Sequence, residues 1–313
     1  MGSRAVPVLE IGGTHVTAAV VQTGTWRVLS GTGVRRPLDP HGSADALTAT
    51  IVDAGRALRP DDPRLWGVAV PGPFDYARGI ADFHGVGKFD ALRGVDLGEV
   101  LRRALTGAKG HVSFVNDAEA FAIGEWAAGA AQGHHRTIGV TLGTGVGSAF
   151  LVDGLARRSG PGVPPEGRLD LVQVEGRPLE DLVSRWAIRT RYGSLAGDPA
   201  AAHLDVRDIA TRARSGDPDA IRAVDEPLQV LGRVLAPFAV EFAASMLVVG
   251  GSIALAWDVI NPPLRSGMDQ ASPGWAEKFG LTIAARIRDA ALVGAVWHAV
   301  HDATTDDGDR RNR

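Results

Sequence analysis

Apolar and polar positions alternate in short blocks at the start of the chain. Three segments, about 6–11, 15–22 and 25–33, are rich in Val and Thr and broken by Gly12-Gly13 and Gly24. That pattern predicts consecutive β-hairpins. Ser43 then stands where an N-cap belongs, ahead of a helical pattern over 44–58 with Ala46, Leu47, Ile51 and Leu58 as its apolar positions. "LWGVAVPGPFD" reads as a strand that ends in a Pro-Gly-Pro turn. Asp96 and Glu99 are spaced as a capping box, and "HVSFVNDAEAFAIGEWAAGAAQG" reads as a strand, an Asn-Asp turn and a helix.

The opening pattern then returns. "TIGVTLGTGVGSAFLVDGLA" (137–156) is again strand, glycine turn, strand, about 130 residues after its first appearance. A duplicated α/β architecture follows from that repeat. Residues 157–177 are irregular around "SGPGVPPEGR". Helical patterns dominate at 179–192, 205–215 and 218–243, "MLVVGGSIAL" is a further strand leading into a helix, and a last amphipathic helix is expected over 286–301. The expected division is a first lobe over 1–117 with that last helix packed back on it, a second lobe over 118–285, and a disordered tail over 302–313.

Composition narrows the function classes. The chain has 313 residues, 45% of them hydrophobic, and a net charge of −3, so no global basic field exists to draw nucleic acid or an anionic membrane. Of the 33 basic residues only Lys88, Lys109 and Lys278 are lysines. The absence of cysteine excludes disulfides, thiolate nucleophiles and Cys-ligated zinc. No signal-like or membrane-spanning run is visible, and a cytoplasmic location is expected.

Three strands end in glycine turns: "EIGGT" (10–14), "GTGVG" (143–147) and "VVGGS" (248–252). Glycines let backbone N–H groups approach a ligand closely, and successive N–H groups form an anion nest. One such turn alone is an ordinary hairpin; three in one chain at duplicated positions point to phosphates. The G-x-x-x-x-G-K-[ST] pattern is missing, so this is no P-loop. With so little lysine, phosphate charge must be met by N–H groups, arginine and a metal. Glu10, at the strand tip, can hold Mg²⁺ through water. Asn116 and Asp117 end one strand and start a helix. They suit an N-cap, and equally a carboxylate that accepts the proton of an attacking hydroxyl, with Asn116 orienting the substrate. The glycine turns favour the base.

At these residues the chain resembles the ROK family of sugar kinases and related repressors. The resemblance rests on "EIGGT", "VAVPGPFDYARG", "NDAEAFAIGE", "GTGVGS" and "VVGGSIA", in that order. It implies an α/β, two-lobed, duplicated actin/hexokinase-like (ribonuclease H-like) fold with an inter-lobe cleft. It implies ATP and Mg²⁺, Asp117 as the base for a hexose hydroxyl, and Asn116 on the sugar. Gly12, Gly13, Thr14, Gly143, Thr144 and Gly145 would cradle the ATP phosphates, and Gly250 and Gly251 would lie near the adenosine. A homodimer is implied by the resemblance alone.

The departures matter. Where the family carries E-x-G-H, a cysteine-rich zinc loop and G-C-x-E, this chain has "PEGRLDLVQVEGRPLEDLVSRW". Glu180 matches the last glutamate. Asp170 is placed near the histidine position, and Glu166 stands for the first glutamate with its register off by one. No structural zinc is expected. Glu166, Asp170 and Glu180 together would make an acidic sugar pocket that suits an ammonium, because charge-assisted hydrogen bonds are roughly twice as strong as neutral ones. The expected activity is therefore ATP-dependent phosphorylation of O6 of glucose or of an aminohexose such as kanosamine (3-amino-3-deoxyglucose). Alternatives are a kinase for another hexose (fructose or mannose), a catalytically inactive sugar sensor, and another ATPase of the same superfold. A repressor would need a helix-turn-helix ahead of a first lobe that here starts within ten residues.

Overall fold

The computed structural model describes residues 3–60, 62–107 and 110–311, with side chains as far as residue 304. Lys109 and the last two residues of the expected tail lie outside the described residues. The chain forms two units, Met1–Gly129 with Arg288–Arg313, and Ala130–Ile287.

In the first unit β1 (Ala5–Ile11) and β2 (His15–Gln22) form an antiparallel hairpin, and β3 (Arg27–Val28) and β4 (Val34–Pro37) add to the free side of β2. After α1 (Ala44–Arg56), β5 (Leu65–Val70) runs parallel to β1 on its other side. A two-stranded ribbon, β6 (Phe74–Asp75) and β7 (Ile80–Ala81), precedes α2 (Leu97–Leu101) and a π-helical turn at Arg102–Thr106. β8 (His111–Asn116) then joins β5 in parallel and leads straight into α3 (Asp117–Ala128). The path is β3-β2-β1-β5-β8.

The second unit repeats this plan. β9 (Arg136–Leu142), β10 (Val146–Val152) and β11 (Leu155–Arg157) are antiparallel neighbours. The short ribbon β12 (Gln173–Val174) and β13 (Arg177–Pro178) leads into α4 (Glu180–Val183), α5 (Arg185–Leu195), α6 (Val206–Arg214) and α7 (Pro218–Glu241). β14 (Met246–Gly250) runs parallel to β9, α8 (Trp257–Ala271) follows, and β15 (Gly280–Ile283) runs parallel to β14. The path β11-β10-β9-β14-β15 matches the path of the first sheet, which carries β4 in addition. The chain returns to the first unit in α9 (Ala290–Arg311).

The period-2 pattern of β1 decides what each face of the first sheet carries. Leu9 and Ile11 join Val16, Ala18 and Val20 against Leu47 and Ile51 of α1. The other face carries Val8 and Glu10, in register with Gly67 and Ala69. It is covered by α9, which comes so close that a Cβ on Gly67 would lie 2.6 Å from the Ala295 carbonyl oxygen. The same helix meets α3 through glycines. A Cβ on Gly124 would fall inside contact distance of the Ala290 carbonyl, and one on Gly294 inside that of Ala120. In the second unit Leu228, Leu231 and Leu235 of α7 fill the core beneath Ile138 and Val140.

Several expectations need correction. The third segment, expected as one strand over 25–33, holds only the two-residue β3, and β4 begins after it at Val34, with a turn at Gly31 (φ +78°) between the two. The helix expected over 179–192 breaks at Ser184, whose hydroxyl caps α5 by accepting from the Ala187 N–H. Asp96 caps α2, accepting from the Glu99 N–H at 2.7 Å, but Glu99 turns to Arg102 and Arg103 and leaves the box half made. Ala46 is exposed, and Ala54 and Gly55 are the buried positions instead. The first unit extends to Gly129 and not to Asp117, because α3 packs on α9. α9 continues through Arg311, since no proline interrupts 302–311.

Candidate active site

The fold gathers the candidate residues into two clusters, one in each unit. In the first, the register sets Arg35 beside Thr17, Thr17 beside Glu10, Glu10 beside Ala69, and Ala69 beside Val115, across five strands. This row ends one residue short of Asn116. The Asn116 side-chain oxygen caps α3, accepting from the N–H groups of Ala118 (3.0 Å) and Glu119 (3.2 Å), and its amide donates to the Tyr76 hydroxyl at 3.0 Å. Tyr76 in turn donates to the Val70 carbonyl at 3.3 Å. Asn116 is thus a cap with a fixed orientation. Only one N–H of its amide remains for a substrate.

Asp117 is the first residue of α3 and accepts from the N–H of Ala118 at 2.9 Å. It keeps some accessible surface yet is densely surrounded. That burial pushes its carboxyl above the ordinary aspartate range, while Lys88 and the Ala118 N–H pull it back. Glu10 is pushed up to about 7, first by burial and then by the charge of Asp117, with Arg35 opposing. Glu10 and Asp117 therefore share one electrostatic environment. Two half-buried carboxylates of raised proton affinity, one of them raised in part by the charge of the other, are a place where a divalent cation is welcome. Among the described residues no group of three or more His, Cys, Asp or Glu could hold a metal. An ion here would keep most of its waters, which is the habit of Mg²⁺.

The shift of Glu10 has a measurable consequence. Its folded-state value, about 7, lies above its ordinary 4.5, so the proton is held more tightly in the folded protein. The resulting stabilisation is complete below about pH 4.5 and is lost as pH rises through 7. Glu10→Gln removes this loss. Between pH 5 and pH 8 the variant is expected to gain about 2 kcal/mol on the wild type, measured by denaturant unfolding without nucleotide. Equal pH profiles would show that Glu10 is not desolvated.

The turn after β1 is tight. The Gly12 N–H donates to the His15 carbonyl at 2.8 Å, and the N–H groups of Gly13 and Thr14 have no partner among the described residues. Gly13 has open space where a Cβ would stand, and Thr14 is exposed.

The second cluster is built on the corresponding turn. The Gly143 N–H donates to the Gly145 carbonyl at 3.0 Å, and the N–H groups of Thr144 and Gly145 have no partner among the described residues. The Glu180 carboxylate accepts from the Val146 N–H at 2.8 Å and presses on Gly145, where a Cβ would collide with it. Gly145 is glycine for that reason. Gly251, at φ +85°, packs its Cα on the backbone of Leu142, so it serves close strand–turn packing, and Gly250 is buried in β14 opposite Thr141.

The loop expected to replace a zinc site is pinned by Ser148 on β10. Its hydroxyl donates to the Gly167 carbonyl at 2.6 Å and accepts from the Leu169 N–H at 3.0 Å. Asp170 is buried, but it is not a free acceptor: Arg168 donates to both of its oxygens, from Nε at 3.2 Å and from Nη2. Glu166 is exposed and sits in the left-handed region at φ +57°. The structure thus gathers Glu180 with the 143–145 turn, pairs Asp170 with Arg168 and leaves Glu166 in solvent. Sequence reasoning missed Lys88, Arg35, Ser148, Arg168 and Arg185. Only the scarcity of lysine, with the inference that arginine must serve, pointed toward any of them.

Duplicated α/β units, each opening with a strand–glycine turn–strand hairpin, and a half-buried aspartate at a helix start, electrostatically linked to the strand before the first of these turns, define a protein of the actin/hexokinase-like class. Within it, the chain belongs to the ROK family, whose model matches residues 7–301. It is 31% identical over 309 residues to a glucokinase of Thermotoga maritima, covering 92% of this chain and 94% of that one. It is 26% identical over 269 residues to an N-acetylgalactosamine kinase of a Shewanella species, covering 78% and 80%. A ROK family glucokinase of Streptomyces griseus, solved with glucose and AMPPNP, superposes with a TM-score of 0.76 at 24% identity over 95% of this chain and 99% of that one. No helix among the described residues is long and apolar enough to cross a membrane.

Proposed function

We propose that the protein is an ATP-dependent sugar kinase that phosphorylates the primary hydroxyl, O6, of a hexose, with glucose as the preferred substrate. The observation that carries this reading is Asp117, a half-buried carboxylate of raised proton affinity at the start of α3, whose charge acts on Glu10 at the first glycine turn. The glucokinase and N-acetylgalactosamine kinase relatives support the reaction class.

In this mechanism the sugar hydroxyl attacks the γ-phosphorus of ATP. The new O–P bond forms in line with the breaking bond to the β-phosphate oxygen, ADP leaves, and the hydroxyl proton passes to Asp117. A base of raised pKa suits this transfer, because its proton affinity comes closer to the working pH. Asn116, locked by Tyr76 and the α3 backbone, orients the hydroxyl. The free N–H groups of Gly13, Thr14, Thr144 and Gly145 stabilise charge on the phosphate oxygens. Mg²⁺ arriving with ATP would be held through water by Glu10 and would neutralise phosphate charge.

The pairing of Asp170 with Arg168 favours glucose over an aminohexose. A carboxylate already bonded to a guanidinium offers little further attraction to an ammonium, and Glu166 is too exposed to replace it. The comparison of kcat/KM for glucose and kanosamine, in the wild type and in Asp170→Asn, tests this. Glucose is expected to win by about tenfold or more, with the ratio little changed in the variant. A wild-type preference for kanosamine that disappears in Asp170→Asn would establish the aminohexose reading instead.

A further inference from the structure

Arg185 is the first residue of α5, directly after its cap Ser184. Its backbone N–H donates to the Gly143 carbonyl at 3.0 Å. Its guanidinium donates from Nη2 to the Ser252 hydroxyl at 2.7 Å, and Ser252 follows Gly251. That hydroxyl lies 3.7 Å from where a Gly143 Cβ would stand. A single side chain therefore spans both glycine turns of the second unit. The nearest carboxylate, Asp205, is 3.9 Å from Nη1, beyond hydrogen-bond distance. Nε is buried without a partner among the described residues, and the side chain as a whole is about a third exposed, at 32%. Fastening α5 to the turn needs only the backbone bond, yet most of the guanidinium's donors are uncommitted.

The charge balance of the turn gives this cation a purpose. Glu180 sets a carboxylate against Gly145, in the middle of the turn whose free N–H groups face an anion in the proposed function. A polyphosphate beside that carboxylate is repelled unless a cation stands nearby. Lys88 belongs to the first unit, and Lys278 follows Trp275–Glu277, away from the turn in sequence. Arg185 is a cation held between the two turns, its backbone N–H bonded to Gly143 and its guanidinium to Ser252. Its planar fork matches phosphate oxygens better than an ammonium does.

We infer that Arg185 binds the phosphates of the nucleotide donor at the 143–145 turn, taking the part that a lysine plays in other phosphate loops. This rests on the kinase reading and names a residue for it. The test is calorimetric titration of Mg-AMPPNP, and of adenosine as a phosphate-free control, into wild type, Arg185→Gln, Arg185→Lys and Ser252→Ala. Arg185→Gln is expected to weaken AMPPNP binding by about 10- to 100-fold, the size of a lost charge-assisted hydrogen bond, and to leave adenosine within about twofold. Arg185→Lys should recover part of the loss. Ser252→Ala, which frees the guanidinium without deleting it, should cost AMPPNP a few-fold and adenosine nothing. Should Arg185→Gln fail to fold, the Ser252→Ala pair decides alone. Unchanged AMPPNP affinity in the variants overturns the inference. So does an equal loss for both ligands, which would make Arg185 a structural clip. If the wild type binds sugar but neither AMPPNP nor adenosine, the kinase reading falls together with it.

Discussion

Asp117→Asn is expected to lower kcat for hexose phosphorylation by roughly 10²- to 10⁴-fold while sugar still binds. The substitution keeps the size of the side chain and its acceptance from the Ala118 N–H, so α3 should start as before. It removes the proposed proton acceptor and the charge that Glu10 feels. The carboxyl of Glu10 should consequently relax toward its ordinary range, which a pH titration of unfolding would register as a smaller stability loss between pH 5 and pH 8. A variant with near-normal kcat would remove Asp117 from the mechanism, whatever became of Glu10.

The second large effect is structural. Gly294→Ala should destabilise the first unit by about 3 kcal/mol, because the added methyl would sit inside the contact distance of the Ala120 carbonyl, and two helix backbones have to separate to admit it. Helix α3 carries Asp117 at its first residue, so the same shift should lower activity at temperatures where the protein is still folded. Gly133→Ala provides the contrast. Gly133 has φ +83° but nothing near its missing side chain, and strain alone should cost only about 1 kcal/mol. Thermal unfolding of the two variants separates packing from backbone strain. Equal losses would mean that α3 and α9 do not meet as closely as described.

These two cases mark what was legible in the sequence. The strand–glycine turn–strand repeat at 8–22 and 137–156 is a local pattern, and it predicted the hairpins and the duplication that the matching sheet paths display. Ser43 and Asn116 were legible as caps because capping is a matter of the next three residues. What stayed hidden depends on partners far along the chain. The need for Gly124 and Gly294 shows only when α9 is laid on α3. The bond that Glu180 accepts from the Val146 N–H was hidden for the same reason, since thirty-four positions separate the two residues. Asp170 looked like a bare acid, since nothing in "EGRLD" says that the arginine folds back over two residues to meet it. Ser148 is one hydroxyl in a strand of small residues, and only the path of the following loop gives it two partners. β15 was missed because "GLTI" is four residues long, too short to show a period.

In the proposed reaction the terminal phosphoryl group of ATP passes to O6 of glucose with Asp117 as base. Phosphorus NMR of wild-type and Asp117→Asn protein incubated with glucose, ATP and Mg²⁺ tests it most directly. The wild type is expected to give a growing glucose 6-phosphate signal matched by ADP, and the variant almost none over the same period. ADP formed with inorganic phosphate and no sugar phosphate, or sugar phosphate formed equally fast by both proteins, would contradict it.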